Sequence, residues 1–387
     1  MAREYLAFGQ AEYRDRMARA RATMRENGLD AVIIVSPESL YYLSGYDSWT
    51  SAVNPQGLVV SSGEDNPTLL IRNYDYALAR ESTFVEDIRT FRLGIDNPAG
   101  MLADIVGKKR PGYARVGVDL QSPAVTGRFA LDLADALGGG ALVDATDLLG
   151  ELRLIKSSPE IAYIRQAAGY AAAGLAETKR ALRAGRTEIA VAADVEAAVR
   201  KAGSDYWAIP MEFTTGPRTA AGHGAPRPRV IGAGDLAHFE FAGVAARYHV
   251  TAMTTMAVTS ASKRIRDLHR ICAESVTAGV AAVKVGAPAA AAEIASLRPL
   301  EREGIDGFAI ARFGYGIGVA YPPIWLETLQ ISRTSAHVLQ AGMVFVLHTT
   351  LTLPDENLGF MQGGTYLLTE TGVQMLVGDG DSPLVTV

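Results

Sequence analysis

The sequence has few of the features that mark secreted, membrane-spanning or nucleic-acid-binding proteins. Its single cysteine, Cys272, excludes an internal disulfide bond and is typical of a reducing compartment. No apolar run reaches the ~18 residues of a membrane-spanning helix, and residues 1–8 lack the apolar core of a signal peptide. The net charge of −5 comes from interspersed signs, so no basic surface for nucleic acid is expected. We therefore predict a cytoplasmic protein that binds neither membranes nor nucleic acids.

What the sequence does have is enough length and apolar content for two domains. Its 387 residues are 48% apolar and 20% charged, the balance of a globular protein. Near the start, residues 12–27 have helical spacing and Gly28 ends that helix. Short apolar strands then alternate with helical segments, at 31–35, 57–60, 68–71 and 115–119. This alternation predicts a compact α/β domain over residues 1–154.

The second domain is predicted to span residues 155–387. It begins with Ser-Ser-Pro-Glu at 157–160, where a serine cap and an early proline mark the start of a helix. A helix-rich region extends to residue 202, and strand-like runs follow at 236–241, 251–259 and 343–347. The pattern predicts a sheet with helices between and behind its strands.

Five segments in order carry a resemblance to a known family. They are Tyr-Tyr-Leu-Ser-Gly-Tyr at 41–46, and the segments 152–165, 234–243, 312–325 and 342–345. Together they resemble the creatinase/aminopeptidase P (M24) family. The resemblance implies an α+β fold, in which a small N-terminal creatinase-type α/β domain precedes a C-terminal pita-bread domain. The pita-bread domain is a curved antiparallel sheet backed by helices.

Metal-dependent members of that family hold two metal ions with two aspartates, one histidine and two glutamates. Matching the motifs places these five ligand positions at Glu240, Thr251, Tyr315, His348 and Gly363. Two of the five keep a ligand-type side chain, fewer than the three that a catalytic zinc site normally has. A one-residue shift of the alignment does not restore the second aspartate, because residues 241–262 contain no carboxylate. We therefore predict no metal and no other cofactor.

Three local matches favour one branch of the family. They are Gly314–Trp325, Glu240 with Gly243 and Arg247–His249, and Gly45–Trp49, which resemble ectoine hydrolases. This branch, like creatinase, consists of hydrolases that work without a metal ion, so the resemblance implies a metal-independent hydrolase. The predicted function is hydrolysis of a C–N bond in a small nitrogen-rich solute, either an ectoine-like cyclic amidine or a creatine-like guanidino acid. Leu326 and Gly363 depart from the family pattern, so the substrate itself is not identified.

Four residues are the catalytic candidates. His223 lies in a glycine-rich loop and matches the family's proton-shuttling histidine; a histidine pKa near 6.5 suits that role. Glu240 lies within an apolar strand, where a carboxylate needs a partner or a task. It could pair with a substrate cation, activate water or attack as a nucleophile, and an internal salt bridge with Arg247 is the structural alternative. Tyr315 and His348 occupy former ligand positions and are expected to face the same cavity.

Five further residues are predicted to bind the substrate. Tyr321 and Trp325 flank a proline pair and could hold a cation between aromatic rings, and His249 could reach the same pocket. Tyr46 and Trp49 lie in the first domain. The resemblance implies a homodimer in which the N-terminal domain of one subunit closes over the small-molecule site of its neighbour.

Two other classes of function stay open at this point. The chain could be an Xaa-Pro-type peptidase or lyase relative with an unusual site. It could also be a non-catalytic pita-bread binding protein.

Overall fold

A computed structural model of the chain describes residues 4–63, 65–310, 312–380 and 382–387. It divides into two compact units, one of Met1–Arg153 with Tyr321–Pro323, the other of Leu154–Ala320 with Ile324–Val387. The boundary predicted after residue 154 did not include the short segment Tyr321–Pro323 in the first domain. None of the described helices is long and apolar enough to cross a lipid bilayer.

The first unit is an α/β unit built on a mixed sheet. Its described strands are β1 Ala31–Ile34, β2 Gly57–Ser61, β3 Thr68–Arg72, β4 Asp87–Phe91, β5 Val116–Val118 and β6 Leu142–Asp144, in the order β4-β3-β2-β1-β5-β6. Its helices are α1 Gln10–Glu26, α2 Pro37–Ser44, α3 Tyr76–Ser82, α4 Pro98–Lys109, α5 Gly127–Ala136 and α6 Thr146–Glu151. The first helix ends as predicted, with Gly28 at a positive φ of 65°.

Strand β1 explains why helices cover both faces of this sheet. All four of its residues are buried. Val32 and Ile34 join one apolar cluster, whereas Ala31 and Ile33 join a second. Because successive side chains of a strand point to opposite faces, a strand that is apolar throughout needs a cover on each side.

The second unit is a large sheet with helices. Its described strands are β7 Glu212–Thr215, β8 Leu236–Ala245, β9 Tyr248–Ala257, β10 Gly314–Tyr321, β11 Ile324–Ile331, β12 Val344–Leu353, β13 Leu358–Thr369, β14 Gly372–Gly378 and β15 Val385–Thr386. The order is β14-β13-β12-β10-β9-β8-β7, with β11 beside β10 and β15 beside β9. Its helices are α7 Ser158–Ala181, α8 Glu188–Lys201, α9 Lys263–Ala282 and α10 Ala290–Arg302. This arrangement confirms the predicted α+β class.

The packing of α7 decides which side chains of β8 are available for chemistry. A Cβ atom on Gly243 would lie 2.2 Å from the carbonyl oxygen of Ala167, so only glycine lets the helix approach this closely. Phe241, on the same face of β8, packs against Gly174 of the helix. Strand alternation therefore turns Glu240 away from α7.

Candidate active site

Two glutamates on adjacent strands form the centre of the site. Glu212 of β7 lies directly opposite Glu240 of β8 in the antiparallel register, and their carboxyl groups are hydrogen-bonded. Their exposed fractions are 7% and 6%. Burial raises the pKa of Glu240, and burial followed by the charge of Glu240 raises the pKa of Glu212. Two buried carboxylates in contact cannot both ionise readily, so the pair shares one proton.

The tyrosine at the former histidine position belongs to a chain of donors that ends on this pair. Trp325 Nε1–H donates to the Tyr315 hydroxyl over 3.1 Å, and that hydroxyl donates to Glu240 Oε1 over 3.1 Å. Burial, with the nearby charge of Glu240, raises the pKa of Tyr315 well above its ordinary value. Tyr315 therefore stays a phenol and a donor. Among the described residues no hydroxyl or N–H group donates to the Glu212 carboxyl, so Glu212 holds the shared proton while Glu240 keeps the charge.

A partly buried cation lies beside this chain of donors. The Arg312 guanidinium carbon is 4.9 Å from the centroid of the Tyr315 ring. Its Nη1 donates to Gln330 Oε1 over 3.1 Å, whereas Nε is buried without a partner among the described residues. Its positive charge acts to lower the pKa of Glu240. The site thus has an acidic part and a basic part.

His348 adds a neutral imidazole beside Tyr315. Its ring meets Tyr315 edge to face with centroids 5.8 Å apart, and Nδ1 lies 3.1 Å from Thr350 Oγ1. Burial, assisted by the charge of Arg312, lowers the pKa of His348 to about 3. His348 therefore carries no charge at neutral pH.

The side chains at the five former ligand positions do not fit a pair of metal ions. The Thr251 hydroxyl is a neutral ligand at best, and its Oγ1 is buried without a partner among the described residues. Gly363 has a φ of 152°, and a Cβ atom there would lie 2.2 Å from the Leu347 carbonyl oxygen. No glutamate can occupy that position while β12 and β13 are paired. In the described part of the chain, no three His, Cys, Asp or Glu side chains are grouped to hold a metal ion.

His223 lies at an exposed turn beside this site. The Phe213 N–H donates to the Gly224 carbonyl over 2.9 Å, which ties the loop to β7 one residue after Glu212. Contacts among the described residues do not join the His223 side chain to the acid pair. Its role as a proton shuttle stays a prediction.

The predicted substrate-binding residues have different surroundings. Trp325 lies inside the site as the donor to Tyr315. His249 uses both ring nitrogens within the protein: Nε2 accepts from Ala208 N–H over 3.0 Å, and Nδ1 donates to the Arg247 carbonyl over 2.8 Å. Burial, with the charge of Arg247, lowers the pKa of His249 to about 3. The ring is therefore a fixed structural element, with no nitrogen left to bind a substrate.

The remaining three belong to the first unit. Tyr46 is a core residue whose hydroxyl donates to Gln56 Oε1 over 2.9 Å. Its side chain is buried and presents no surface to a substrate, contrary to the predicted contact. Tyr321 donates to Asp47 Oδ1 over 2.7 Å. Trp49 is 61% exposed on a short 3₁₀ turn. A contact between Trp49 and a neighbouring subunit's substrate stays a prediction.

Sequence reasoning missed two residues of the site and paired one wrongly. Glu212 begins the short strand Glu-Phe-Thr-Thr, and its charge in a buried run was the available signal. Arg312 directly precedes the phenylalanine that leads into β10. The alternative salt bridge between Glu240 and Arg247 is wrong: Arg247 pairs with Asp205 over 3.1 Å at the β8–β9 turn.

Comparisons with known proteins place this geometry in a family. The model of metallopeptidase family M24 matches residues 162–374, and that of the creatinase/prolidase N-terminal domain matches residues 16–155. A Sinorhizobium fredii protein named as an uncharacterized hydrolase/peptidase is 30% identical over 385 residues, covering 96% of each chain. The ectoine hydrolase of Halomonas elongata is 27% identical over 391 residues, again covering 96% of each.

A solved structure shows the same fold. The dipeptidase PepE of Mycobacterium ulcerans superposes with a TM-score of 0.84 at 27% identity, covering 98% of this chain and 99% of that one. The family match, the near-complete overlap and the shared fold agree with the motifs. This chain is therefore a hydrolase of metallopeptidase family M24, the creatinase/aminopeptidase P family, with a creatinase-type N-terminal domain.

Proposed function

We propose that this chain hydrolyses a C–N bond in a small cationic amidine or guanidine without a metal ion. The observation that carries the proposal is the Glu212–Glu240 pair, which shares one proton and is held by the Tyr315 hydroxyl. A carboxyl pair of this kind supplies an acid and a base side by side, as C–N hydrolysis requires. The similarity to an ectoine hydrolase supports the choice of substrate class.

The reaction begins with the substrate cation facing the ionised Glu240. Glu240 takes a proton from water, and the water oxygen forms a bond to the amidine carbon while the C=N π electrons move onto nitrogen. This tetrahedral intermediate forms beside Glu240, next to Tyr315 and the neutral His348. It is neutral, because water loses a proton to Glu240 while the cationic nitrogen gains the π electrons, and the Tyr315 hydroxyl acts by holding Glu240 in place.

Collapse of the intermediate breaks the C–N bond. The bonding electrons leave with nitrogen, which takes a proton from Glu212 or from His223. The hydroxyl proton of the intermediate passes to that same group as the carbon–oxygen bond becomes a carbonyl, and the released amine takes the proton that Glu240 removed from water. A cyclic amidine thus gives an opened amide and a guanidine gives a urea, with water as the only co-substrate. His223, on its exposed turn, relays protons between the acid pair and the leaving nitrogen.

The test of this proposal is a turnover screen with purified protein. Ectoine, creatine and an Xaa-Pro dipeptide are each incubated with the enzyme, with EDTA and, in parallel, with Mn²⁺. We expect release of the amide or urea product at a rate that EDTA leaves unchanged. Cleavage of the dipeptide that appears with Mn²⁺ and disappears with EDTA would instead establish a metal-dependent peptidase.

The acid pair predicts a bell-shaped dependence of kcat on pH. Activity rises as Glu240 ionises, at a pH above the ordinary glutamate value because its pKa is raised. It falls again at higher pH as Glu212 loses its proton, since the pKa of Glu212 is also raised. Glu212→Gln keeps a donor but cannot ionise, so the alkaline limb should vanish while the acidic limb remains. An unchanged alkaline limb in this variant, measured from pH 5 to 10, would remove Glu212 from the mechanism.

From the position of Arg312 we predict that the substrate carries a carboxylate. A partly buried guanidinium whose Nε has no partner among the described residues is suited to a charge-assisted hydrogen bond with an anion. Arg312→Met should raise KM about tenfold, with a smaller change in kcat. Wild-type enzyme should prefer the acid to its carboxamide analogue, and the variant should not. The exposed Arg270→Met on α9 serves as control, and an equal preference retained in both variants would contradict the assignment.

We also propose that the protein acts as a homodimer through the first unit. Trp49, Val53 and Tyr74 are 61%, 67% and 87% exposed on two neighbouring turns, which a hydrogen bond from Thr50 to Asp75 joins over 2.9 Å. Adjacent exposed apolar side chains are typical of an interface. Light scattering during size exclusion should give twice the chain mass for the wild type and a lower mass for a Trp49→Ala/Tyr74→Ala variant. A monomeric wild type would dismiss the proposal.

A further inference from the structure

One buried carboxylate outside the acid pair accepts an unusual number of hydrogen bonds. Glu188, the first residue of α8, is 0% exposed. Its Oε1 accepts from the Thr215 N–H over 2.9 Å and from the Thr215 hydroxyl over 2.8 Å. Its Oε2 accepts from the Arg227 N–H over 2.9 Å and from the Arg218 guanidinium. Four donors on one carboxylate satisfy its charge within the protein.

These four donors lie on both sides of His223 in the chain. Thr215 and Arg218 precede the exposed turn and Arg227 follows it, so a single side chain holds both ends of the loop 216–226. The Glu188 N–H also donates to the Arg229 carbonyl over 3.1 Å, which keeps the returning segment beside the start of α8. The loop is therefore closed at its base while its tip faces solvent.

Two further contacts hold the near side of the loop. His238 Nε2 lies 3.1 Å from the Thr219 carbonyl oxygen, and burial lowers the pKa of His238 to about 4. His238 is thus a packed, uncharged histidine of the protein interior. The Thr219 hydroxyl accepts from the Gly359 N–H over 3.1 Å. Neither contact reaches the returning segment. Two arginine side chains connect the two sides: Arg218 donates to the Ala225 carbonyl over 2.9 Å, and Arg229 donates to the Thr215 hydroxyl over 2.7 Å. Glu188 is the buried carboxylate on which donors from both sides of the loop converge.

We infer that Glu188 is a positioning residue, which sets where the His223 loop stands relative to the acid pair. The inference rests on the proposed role of His223 as the proton relay. A relay must come within hydrogen-bond reach of its partner, and a displacement of about 1 Å costs catalysis about a hundredfold. A charged group with donors from both ends of the loop supplies that restraint, whereas an exposed loop of small residues does not.

Hydrogen–deuterium exchange tests the restraint without reference to activity. Glu188→Gln should speed exchange in the peptide 216–227 by about tenfold, because hydrogen bonds to a charged acceptor are replaced by weaker ones. Arg218→Met, which removes the donor from the loop side and leaves the buried carboxylate, should do the same. Glu160→Gln is the matched control, since Glu160 is also a buried glutamate in the first turn of a helix. Unchanged exchange in both loop variants, or equal acceleration in the control, would overturn the inference.

The kinetic part of the test separates a positioning role from a purely structural one. On the amidine that the wild type hydrolyses, Glu188→Gln should lower kcat about tenfold or more and change KM by less than about twofold. Melting temperatures measured alongside identify any loss of folded enzyme. If exchange increases but kcat does not fall, Glu188 holds the loop without serving catalysis and the inference fails. If His223→Ala alone keeps full activity, the proposed relay fails, whereas the exchange result stands on its own.

Discussion

Replacing Glu240 by glutamine is expected to reduce kcat by about 10³-fold or more while the protein stays folded. The substitution preserves shape and keeps an oxygen for the Tyr315 hydroxyl, but it removes the charge that takes the proton from water. It also ends the sharing of a proton with Glu212, so no group of the pair acts as the base. Single-turnover measurements on the amidine found by the substrate screen will show whether the chemical step itself is lost.

The matched control for this variant is Glu160→Gln, which changes a buried glutamate outside the site. Its carboxylate accepts from the Tyr248 hydroxyl over 2.8 Å and serves packing rather than chemistry. We expect a lower melting temperature and near-normal turnover per folded molecule. Comparable turnover by Glu240→Gln and the wild type would mean that the acid pair has no part in catalysis.

Replacing His223 by alanine should remove about 10²- to 10⁴-fold of kcat with little effect on stability. The side chain lies at an exposed turn, so its loss leaves the packing of the second unit intact. Added imidazole should restore part of the rate, because a diffusing base can take over a proton relay that faces solvent. His337→Ala removes another histidine of the second unit and should behave as the wild type. Full activity in His223→Ala would assign the relay to Glu212 alone.

The fold and the family could be predicted from local patterns. Caps, glycine stops and strand alternation are encoded by near neighbours in the chain, so the α1 end at Gly28 and the start of α7 were found. The same alternation placed Glu240 on one face of β8. The motif match also singled out Tyr315 and Trp325 as site residues, but not the hydrogen bond between them.

The partners that the sequence did not reveal depend on register between distant segments. Glu212 meets Glu240 because β7 pairs with β8 at that position, and the intervening residues 213–239 carry no local sign of it. Arg312 belongs to the site because its guanidinium packs over the Tyr315 ring, a side-chain contact that the sequence does not indicate. Tyr46 shows the opposite error: an aromatic residue in a family motif was assigned to a substrate when the core of its own unit holds it.

Gly363 has a consequence for enzyme engineering. A designer who wishes to build a peptidase from this chain would exchange the side chains at the five ligand positions, and four of these residues already carry a Cβ atom. The fifth does not, because any Cβ atom there meets the Leu347 carbonyl oxygen of the neighbouring strand. Conversion into a metal-dependent peptidase therefore begins with redesign of the β12–β13 pairing. A variant made by side-chain exchange alone is expected to misfold and would not bind the second metal ion.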